Sequence, residues 1–350
     1  MKLGMVEKNL KRIISHDWAD QSTCIMLVSG PGQSKTSICK HVADTLIYPV
    51  DGLPCDKKVM HPVGKDSSYT GGYPGLDKSE QGVWEAFHAI YGDQVALRDA
   101  TRPLICIIDD FGQVAPSAQS AWQQLIEERE FNGVKVSPFV RFIICTNRKE
   151  DRANVQAVLS TIRGRSIIVN VEPDPACTAG WLATNYSDVP ELGAFIMKRP
   201  GFLLEQSTND AQKRGAIENS PCPRSMEYVA KIRRWACDKE SERELVAGAA
   251  GKAFADEFCG FLDFWRSLVP TARIIADPEN APLSTNPSHL YAECGSLAHA
   301  ATRETLPQIA VYINRMVEEF QMYFYKLIEV QKPHLCETTT YIDFKLRCKY

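Results

Sequence analysis

The chain has 350 residues, 44% of them hydrophobic and 24% charged, and its formal charge at pH 7 is -3. These values are ordinary for a globular protein of two or three packed units, and they exclude binding of nucleic acid through bulk positive charge, although a local basic patch stays open. The 12 cysteines are scattered singly, without a C-x-x-C pair or a Cys/His cluster at zinc-ligand spacing, so we expect buried thiols in a reducing compartment.

The amino-terminal segment Met1 to His16 is amphipathic and lacks the apolar stretch of a signal peptide. No run of about 18 apolar residues occurs anywhere in the chain. We therefore expect a soluble, cytoplasmic protein with no membrane partner.

Short apolar runs alternate with helix-like periodic segments from Cys24 to Val171. This alternation is typical of an α/β fold, a parallel sheet covered by helices on both faces. The pattern predicts strands at Cys24–Ser29, near Ile47–Val50, and at Leu104–Asp109, Val140–Thr146 and Ser166–Val171. It predicts helices at Lys35–Leu46, Val83–Tyr91, Ser117–Arg129 and Arg152–Ile162.

Beyond residue 172 the periodicity predicts helices, with no convincing strand until the last residues. One amphipathic helix is expected to begin near Arg224, and long helical patterns cover Glu242–Leu268 and Leu306–Val330. Residues 51–81 differ from the rest because about 30 residues rich in Gly, Asp, Ser, Lys and Pro exceed the usual length of a loop in a compact domain. Loops of that length are usually functional or disordered.

The run Ser29-Gly30-Pro31-Gly32-Gln33-Ser34-Lys35-Thr36 follows a predicted strand and opens a predicted helix. That context is the one a phosphate-binding loop requires, because inward-facing backbone N–H groups and the helix amino terminus hold the phosphates. Lys35 is expected to reach the β- and γ-phosphate oxygens, and Thr36 to ligate Mg²⁺. The strict G-x-x-x-x-G-K-[ST] pattern fails, since serines occupy both glycine positions. The expected phosphate-binding residues are Gly30, Pro31, Gly32, Gln33, Ser34, Lys35, Thr36 and Ser37.

Two acids end the predicted strand that begins at Leu104, in the arrangement of a Walker B motif. With a phosphate loop upstream, Asp109 is expected to hold Mg²⁺ and Asp110 to orient and polarise the attacking water. Glu is common at the second place, and Asp is one methylene shorter. A displacement of the water by about 1 Å can cost on the order of 100-fold in rate, so slow turnover is expected.

Asn147 ends a third apolar strand, Phe142 to Thr146. A terminal Asn is often only a turn former. In this order and spacing we expect it to lie between the γ-phosphate and the water, as a sensor 1 residue.

In these motifs the chain resembles MoxR-type AAA+ ATPases of bacterial and phage genomes. The stretches that carry the resemblance are residues 29–36, CIIDDFGQVAPSAQSAWQQLIEE from Cys106, TNRKEDRANVQAVLSTIRGRSIIVNVEPD from Thr146, FIMKRPGFLL from Phe195 and PCPRSMEY from Pro221. The resemblance implies an AAA+ P-loop NTPase core in residues 1–178, with residues 51–81 as a substrate-facing insert. A helical lid in 179–240 and a helical extension in 241–350 would follow.

The resemblance also implies a partner set and further site residues. Subunits form a ring, usually a hexamer, in which ATP lies between neighbours and one neighbour supplies an arginine finger, at Arg165 or alternatively Arg163. Arg224 matches the sensor 2 position, and the loop Tyr69 to Pro74 matches a substrate loop. Family members often act beside a protein with a von Willebrand factor A domain.

Three function classes stay open: an ATP-driven remodeller of a protein partner, a DNA-processing motor, and a nucleotide-gated scaffold with little hydrolysis. The resemblance and the acidic balance favour the first. A DNA motor needs a basic channel. The scaffold hypothesis depends on Ser34, which occupies a glycine position of the motif, and on Asp110, which stands where Glu is common.

Overall fold

The computed structural model describes residues 1–63, 97–98, 100–131, 134–148, 158–204, 218–235 and 238–347. The chain divides into two compact units, Met1–Asp256 and Glu257–Tyr350. Each helix in the described ranges is too short or too polar to span a bilayer. The predicted domain boundaries at residues 178 and 240 stay predictions.

The first unit is built around a parallel sheet with the strand order β2-β3-β6-β1-β7. A separate two-stranded antiparallel hairpin joins β4 to β5. The strands are β1 (Cys24–Ser29), β2 (Asp56–Met60), β3 (Leu104–Ile108), β4 (Glu130–Phe131), β5 (Val134–Lys135), β6 (Val140–Asn147) and β7 (Ser166–Asn170).

Helices cover both faces of this sheet. They are α1 (Leu3–His16), α2 (Lys35–Thr45), α3 (Pro116–Glu127) and α4 (Ser160–Gly164), with a short 3₁₀ turn at Phe111–Gln113. Further helices follow the sheet: α5 (Pro175–Asn185), α6 (Pro190–Lys198), α7 (Gly201–Leu204), α8 (Pro223–Trp235), α9 (Lys239–Ala250) and α10 (Lys252–Arg266).

The second unit is helical throughout its described residues. The end of α10 leads into α11 (Thr271–Ala276), α12 (Pro287–Ala300), α13 (Leu306–Ile313), α14 (Glu318–Gln331), a 3₁₀ turn at Pro333–Leu335 and α15 (Thr339–Arg347). Buried residues of these helices form one hydrophobic core. The predicted α/β fold, a parallel sheet covered by helices and followed by helical regions, is confirmed.

Alternate residues of the central strands enter different cores, because successive side chains of a strand point to opposite faces. On one face Cys106 and Phe142 pack with Trp122 of α3. On the other, Ile105 and Ile143 pack with residues of α1 and α2. Since both faces are buried, the strands read as continuous apolar runs and not as alternating patterns.

One predicted strand is wrong. Residues 47–54 form a turn closed by a bridge between Ile47 and Pro54, and the strand lies further on, at Asp56–Met60. It therefore falls inside the 51–81 segment that the composition suggests is loop. Residues 64–81 of that segment, the predicted helix at Val83–Tyr91, the loop Tyr69 to Pro74 and most of Arg152–Ile162 lie outside the described residues.

The two longest predicted helices are each divided in the structure. Gly251 separates α9 from α10, with φ of 87°. Its N–H donates to the Ala247 oxygen, which ends α9. The pattern Leu306–Val330 is likewise interrupted at residues 314–317, between α13 and α14.

Candidate functional site

The loop between β1 and α2 contains two residues with a left-handed backbone conformation. Gly32 has φ of 73° and Ser34 has φ of 60°, both in the left-handed region. Ser34 makes no side-chain capping bond to the start of α2. The first N–H groups of this 11-residue helix therefore keep their capacity to bind a phosphate.

Lys35 lies at the base of this loop and is buried. Its Nζ donates to the backbone oxygens of Ser29 and Gly30, at 3.3 and 3.0 Å, and to Ser29 Oγ at 3.0 Å. It also donates to Asn147 Oδ1 at 2.8 Å. The lysine thus connects the carboxyl ends of β1 and β6, which are neighbouring strands of the sheet.

Thr36 and Asp109 connect α2 to the end of β3. Thr36 Oγ1 donates to Asp109 Oδ1 at 2.8 Å. These are the hard oxygen donors that Mg²⁺ prefers, and Mg²⁺ is usually bound by one or two protein oxygens together with substrate phosphates. Among the described residues no group of three or more His, Cys, Asp or Glu side chains is arranged to hold a metal ion by itself. By the chemistry of its two oxygens, the pair fits a Mg²⁺ ion shared with a nucleotide.

Asp110 adopts a left-handed backbone conformation, with φ of 52°, as the chain turns from β3 into the 3₁₀ turn. Its N–H donates to Asp109 Oδ1 at 3.1 Å. Short polar side chains enter this region of φ more readily than long ones, which gives a local reason for Asp in place of Glu.

The carboxyl group of Asp110 is half-buried. Burial raises its pKa, and the Asp109 carboxylate raises that pKa further. The electrostatic effects of Lys35, Arg224 and His61 act in the opposite direction and lower it. The pKa of Asp110 thus depends on burial and on four neighbouring groups.

The segment at the start of α8 lies against the phosphate loop. Arg224 N donates to the Gly32 oxygen at 3.4 Å, and its side chain is exposed. A methyl group added at Gly32 would lie 2.6 Å from Cys222 Sγ. Glycine is therefore favoured at position 32 for two reasons, its positive φ and this close approach.

The remaining residues of the loop differ in exposure. Gly30 is buried, whereas Pro31 and Ser37 are exposed. The Gln33 side chain is buried, and its Nε2 has no hydrogen-bond partner among the described residues. A buried donor left without an acceptor costs about 1–3 kcal/mol, so a ligand that supplied an acceptor would be favoured here.

The two arginines at the end of α4 have different surroundings. Arg165 forms an ion pair with Glu127 of α3 and donates from one guanidinium nitrogen to the Thr161 oxygen at 3.0 Å. Arg163 is exposed and forms no ion pair within the described ranges. In the part of the chain that the structure describes, neither arginine bonds to Lys35, Asp109 or Asp110. Both guanidinium groups therefore lie outside the hydrogen-bond network formed by Lys35, Asn147, Thr36 and Asp109 within the described ranges.

Two features of the site were not expected from the sequence. His61 lies directly after β2, and its charge influences Asp110; the charged sequence of β2 hid that strand and with it the histidine. The hydroxyl of Ser29 contacts Lys35, although the motif shows Ser29 only as a missing glycine. The available sequence signal for the Ser29 contact was that Ser29 occupies the first glycine position of the phosphate-loop motif.

No protein-family model and no curated protein matches the chain. Among solved structures, the Cdc6p protein of Pyrobaculum aerophilum is 11% identical, with a TM-score of 0.45 over 93% of this chain and 85% of that one. The ORC2 protein of Aeropyrum pernix, in ADPNP–ADP complexes, is 11% identical, with a TM-score of 0.42 over 94% and 79%. The RuvB Holliday junction branch migration motor of Thermotoga maritima is 12% identical, with a TM-score of 0.33 over 84% and 79%. Likenesses this distant carry no information about the function of this chain.

Proposed function

We propose that this protein is a Mg-ATP-binding ATPase of the AAA+ class. The observation that carries the proposal is the pair of bonds Lys35–Asn147 and Thr36–Asp109, which bring the ends of β1, β3 and β6 and the start of α2 into one cluster. A buried ammonium, a hydroxyl–carboxylate pair and a free helix amino terminus form the set of groups that binds a nucleoside triphosphate.

The residues divide the chemistry as follows. The loop N–H groups and Lys35 bind the β- and γ-phosphates, and Asn147 orients the water together with Asp110. Thr36 and Asp109 would hold Mg²⁺, which neutralises charge on the phosphate oxygens when bound. Arg224 lies in the segment that packs on Gly32, so its position is sensitive to the state of the loop.

The first test of the proposal is the affinity for Mg-ATP. Replacing Lys35 with Ala removes the main cation of the site, and we expect the affinity to fall by at least about tenfold, or about 1.4 kcal/mol. Isothermal titration calorimetry measures this directly. Lys40→Ala is the matched control, because Lys40 is exposed on the same helix. Equal ATP affinity for the wild type and the Lys35 variant would refute the phosphate-loop assignment.

We further propose that hydrolysis remodels a protein partner in the manner of MoxR-type ATPases, within a homo-oligomeric ring, usually a hexamer. The support is the resemblance of the sequence motifs and the absence of a net positive charge. A protein with a von Willebrand factor A domain is the first partner to test.

The competing functions are separated by phosphate release. A remodeller releases phosphate faster with its protein partner, whereas a DNA motor responds to DNA. A nucleotide-gated scaffold binds ATP and releases no phosphate above background with either one. The left-handed conformations of Ser34 and Asp110, both in the catalytic cluster, are the specific observation that keeps the scaffold open.

A further inference from the structure

The hydroxyl of Ser29 occupies a place where the strict phosphate-loop motif has no side chain. Ser29 is the last residue of β1 and is only 1% exposed. Its Oγ lies 3.0 Å from Lys35 Nζ and 3.0 Å from the Gly30 oxygen. The hydroxyl therefore contacts the residue that the proposed function assigns to the phosphates.

The two contacts fix the direction of each hydrogen bond. A carbonyl oxygen can only accept, so the single hydroxyl hydrogen of Ser29 is donated to Gly30. The lone pairs of Oγ are then left for Lys35, whose ammonium group can only donate. Ser29 is held as an acceptor for Lys35 by its own neighbour in the loop.

The ammonium group has three hydrogens and at least four oxygen acceptors within 3.3 Å: two on Ser29, one on Gly30 and one on Asn147. A phosphate can therefore bind Lys35 only by displacing some of these oxygens. If the Ser29 hydroxyl were removed, at least three acceptors would remain for three hydrogens. Without nucleotide, each hydrogen of the Lys35 ammonium group would still have an acceptor. One oxygen that competes with the phosphate would be absent.

We propose that Ser29 is a positioning residue that competes with nucleotide phosphates for the Lys35 ammonium and so weakens nucleotide binding. This inference rests on the proposed function of the same site. It predicts that the protein releases nucleotide more readily than one with glycine at this place, and that the effect depends on the phosphates and not on the base.

The test compares nucleotide affinities by calorimetry. We expect Ser29→Ala to bind Mg-ATP about three- to tenfold more tightly, because hydrogen bonds to charged groups are among the stronger ones. Ser29→Cys keeps nearly the same volume with a weaker acceptor and should change the affinity in the same direction. Ser120→Ala, at an exposed serine of α3, is the control for the loss of a hydroxyl elsewhere.

A double-mutant cycle separates a specific effect from a structural one. The gain from Ser29→Ala should disappear in a Lys35→Ala background, because the competition requires the ammonium. Unchanged or weaker ATP binding in both Ser29 variants would overturn the inference, as would an equal gain with and without Lys35. The proposed function fails separately, if the wild type binds no ATP or if Lys35→Ala binds it normally.

Discussion

Ser34 is the residue at which the sequence and the backbone of the phosphate loop disagree most. Its φ of 60° places a Cβ in the left-handed region, which costs an L-residue about 1–2 kcal/mol, whereas glycine enters it freely. We expect Ser34→Gly to raise the free energy of unfolding by up to about 1 kcal/mol after the extra chain entropy of glycine is subtracted. Urea denaturation measures the change.

The control for this prediction is the same substitution in an ordinary helix. Ser120 lies in the interior of α3, where glycine should cost about 0.5–1 kcal/mol. If Ser34→Gly destabilises the protein as much as Ser120→Gly does, the left-handed conformation of Ser34 carries no strain.

The positions of the principal site residues could be predicted from the sequence. Lys35, Asp109 and Asn147 each follow an apolar strand, and the carboxyl ends of parallel strands share one edge, so their proximity follows from topology. The side-chain contacts could not be predicted, because the ion pair between Arg165 and Glu127 depends on how α3 packs beside α4. The roles assigned to these residues remain predictions.

At the scale of elements, buried strands are predictable and the edge strand β2 is not. The interior strands are apolar on both faces, whereas β2 begins with Asp56, Lys57 and Lys58, of which the first two are exposed. Its backbone pairs with β3, and Arg102 binds the side chains of Asp51 and Asp56 beside it. A strand stabilised by its neighbour in this way leaves no periodic pattern in its own sequence.

Arg233 connects three helices through a buried ion-pair network. It pairs with Glu191 of α6 at 2.7 Å and with Glu242 of α9, and both carboxylates are buried. Its removal would take an ion-pair partner from each of two buried carboxylates. We expect Arg233→Met to lower the free energy of unfolding by about 3–5 kcal/mol, measured by urea denaturation.

The adjacent arginine provides the matched control for that substitution. Arg234 pairs with Asp188 in a largely exposed setting, where screening by solvent makes an ion pair weak. Arg234→Met should therefore destabilise the protein far less. Similar losses of unfolding free energy in the two variants would show that burial does not strengthen the ion pairs of Arg233.

Glu293 of α12 is a buried acid in the second unit, only 2% exposed. Tyr312 of α13 lies 2.8 Å from the Pro282 oxygen and 3.0 Å from Glu293 Oε2. Because the tyrosine has one hydrogen and the Pro282 oxygen only accepts, both contacts are satisfied together when Glu293 is protonated. Burial raises the pKa of Glu293, and this outweighs the hydrogen bonds that Tyr312 and the Val269 N–H can donate to the ionised carboxylate and the electrostatic effect of His289, all of which lower that pKa.

The pKa of Glu293 is higher in the folded state than in the unfolded state, so its contribution to stability is complete at low pH and is lost as pH rises through the folded value. Glu293→Gln cannot ionise. We expect it to be more stable than the wild type by on the order of 1 kcal/mol at about pH 8, with the difference vanishing near pH 4. Thermal unfolding across this range measures it, and a difference independent of pH would contradict the prediction.

At the scale of the whole molecule, the sequence predicts a parallel α/β core followed by helices but not the boundary of the packed units. The hydrophobic cores on the two faces of the sheet and the core of the second unit contain different residues, and the boundary at Asp256 falls inside α10. A continuous helix gives no signal of composition at such a boundary. The sequence carries even less information about the assembly state, because a subunit interface depends on the surface of the folded chain and not on a periodic pattern.

The last prediction concerns assembly. If Arg165 acts on the nucleotide of a neighbouring subunit, each site needs two chains, and the ion pair with Glu127 must open when the neighbour binds. A mixture of Arg165→Ala and Asp110→Asn proteins should then regain part of the phosphate release that each has lost, since a mixed interface can join an intact arginine to an intact acid. The regained activity should disappear on dilution.

The same mixture made with Arg163→Ala in place of Arg165→Ala decides between the two arginines. The arginine whose loss abolishes hydrolysis while ATP still binds, and whose variant is complemented by Asp110→Asn, is the one that acts between subunits. Arg163 is exposed and forms no ion pair in the described ranges, so it could contact a neighbouring subunit without breaking one. Arg165 must first leave Glu127, and a Glu127→Gln substitution should make that step faster. Sedimentation as a monomer at micromolar concentration with ATP present would exclude both assignments.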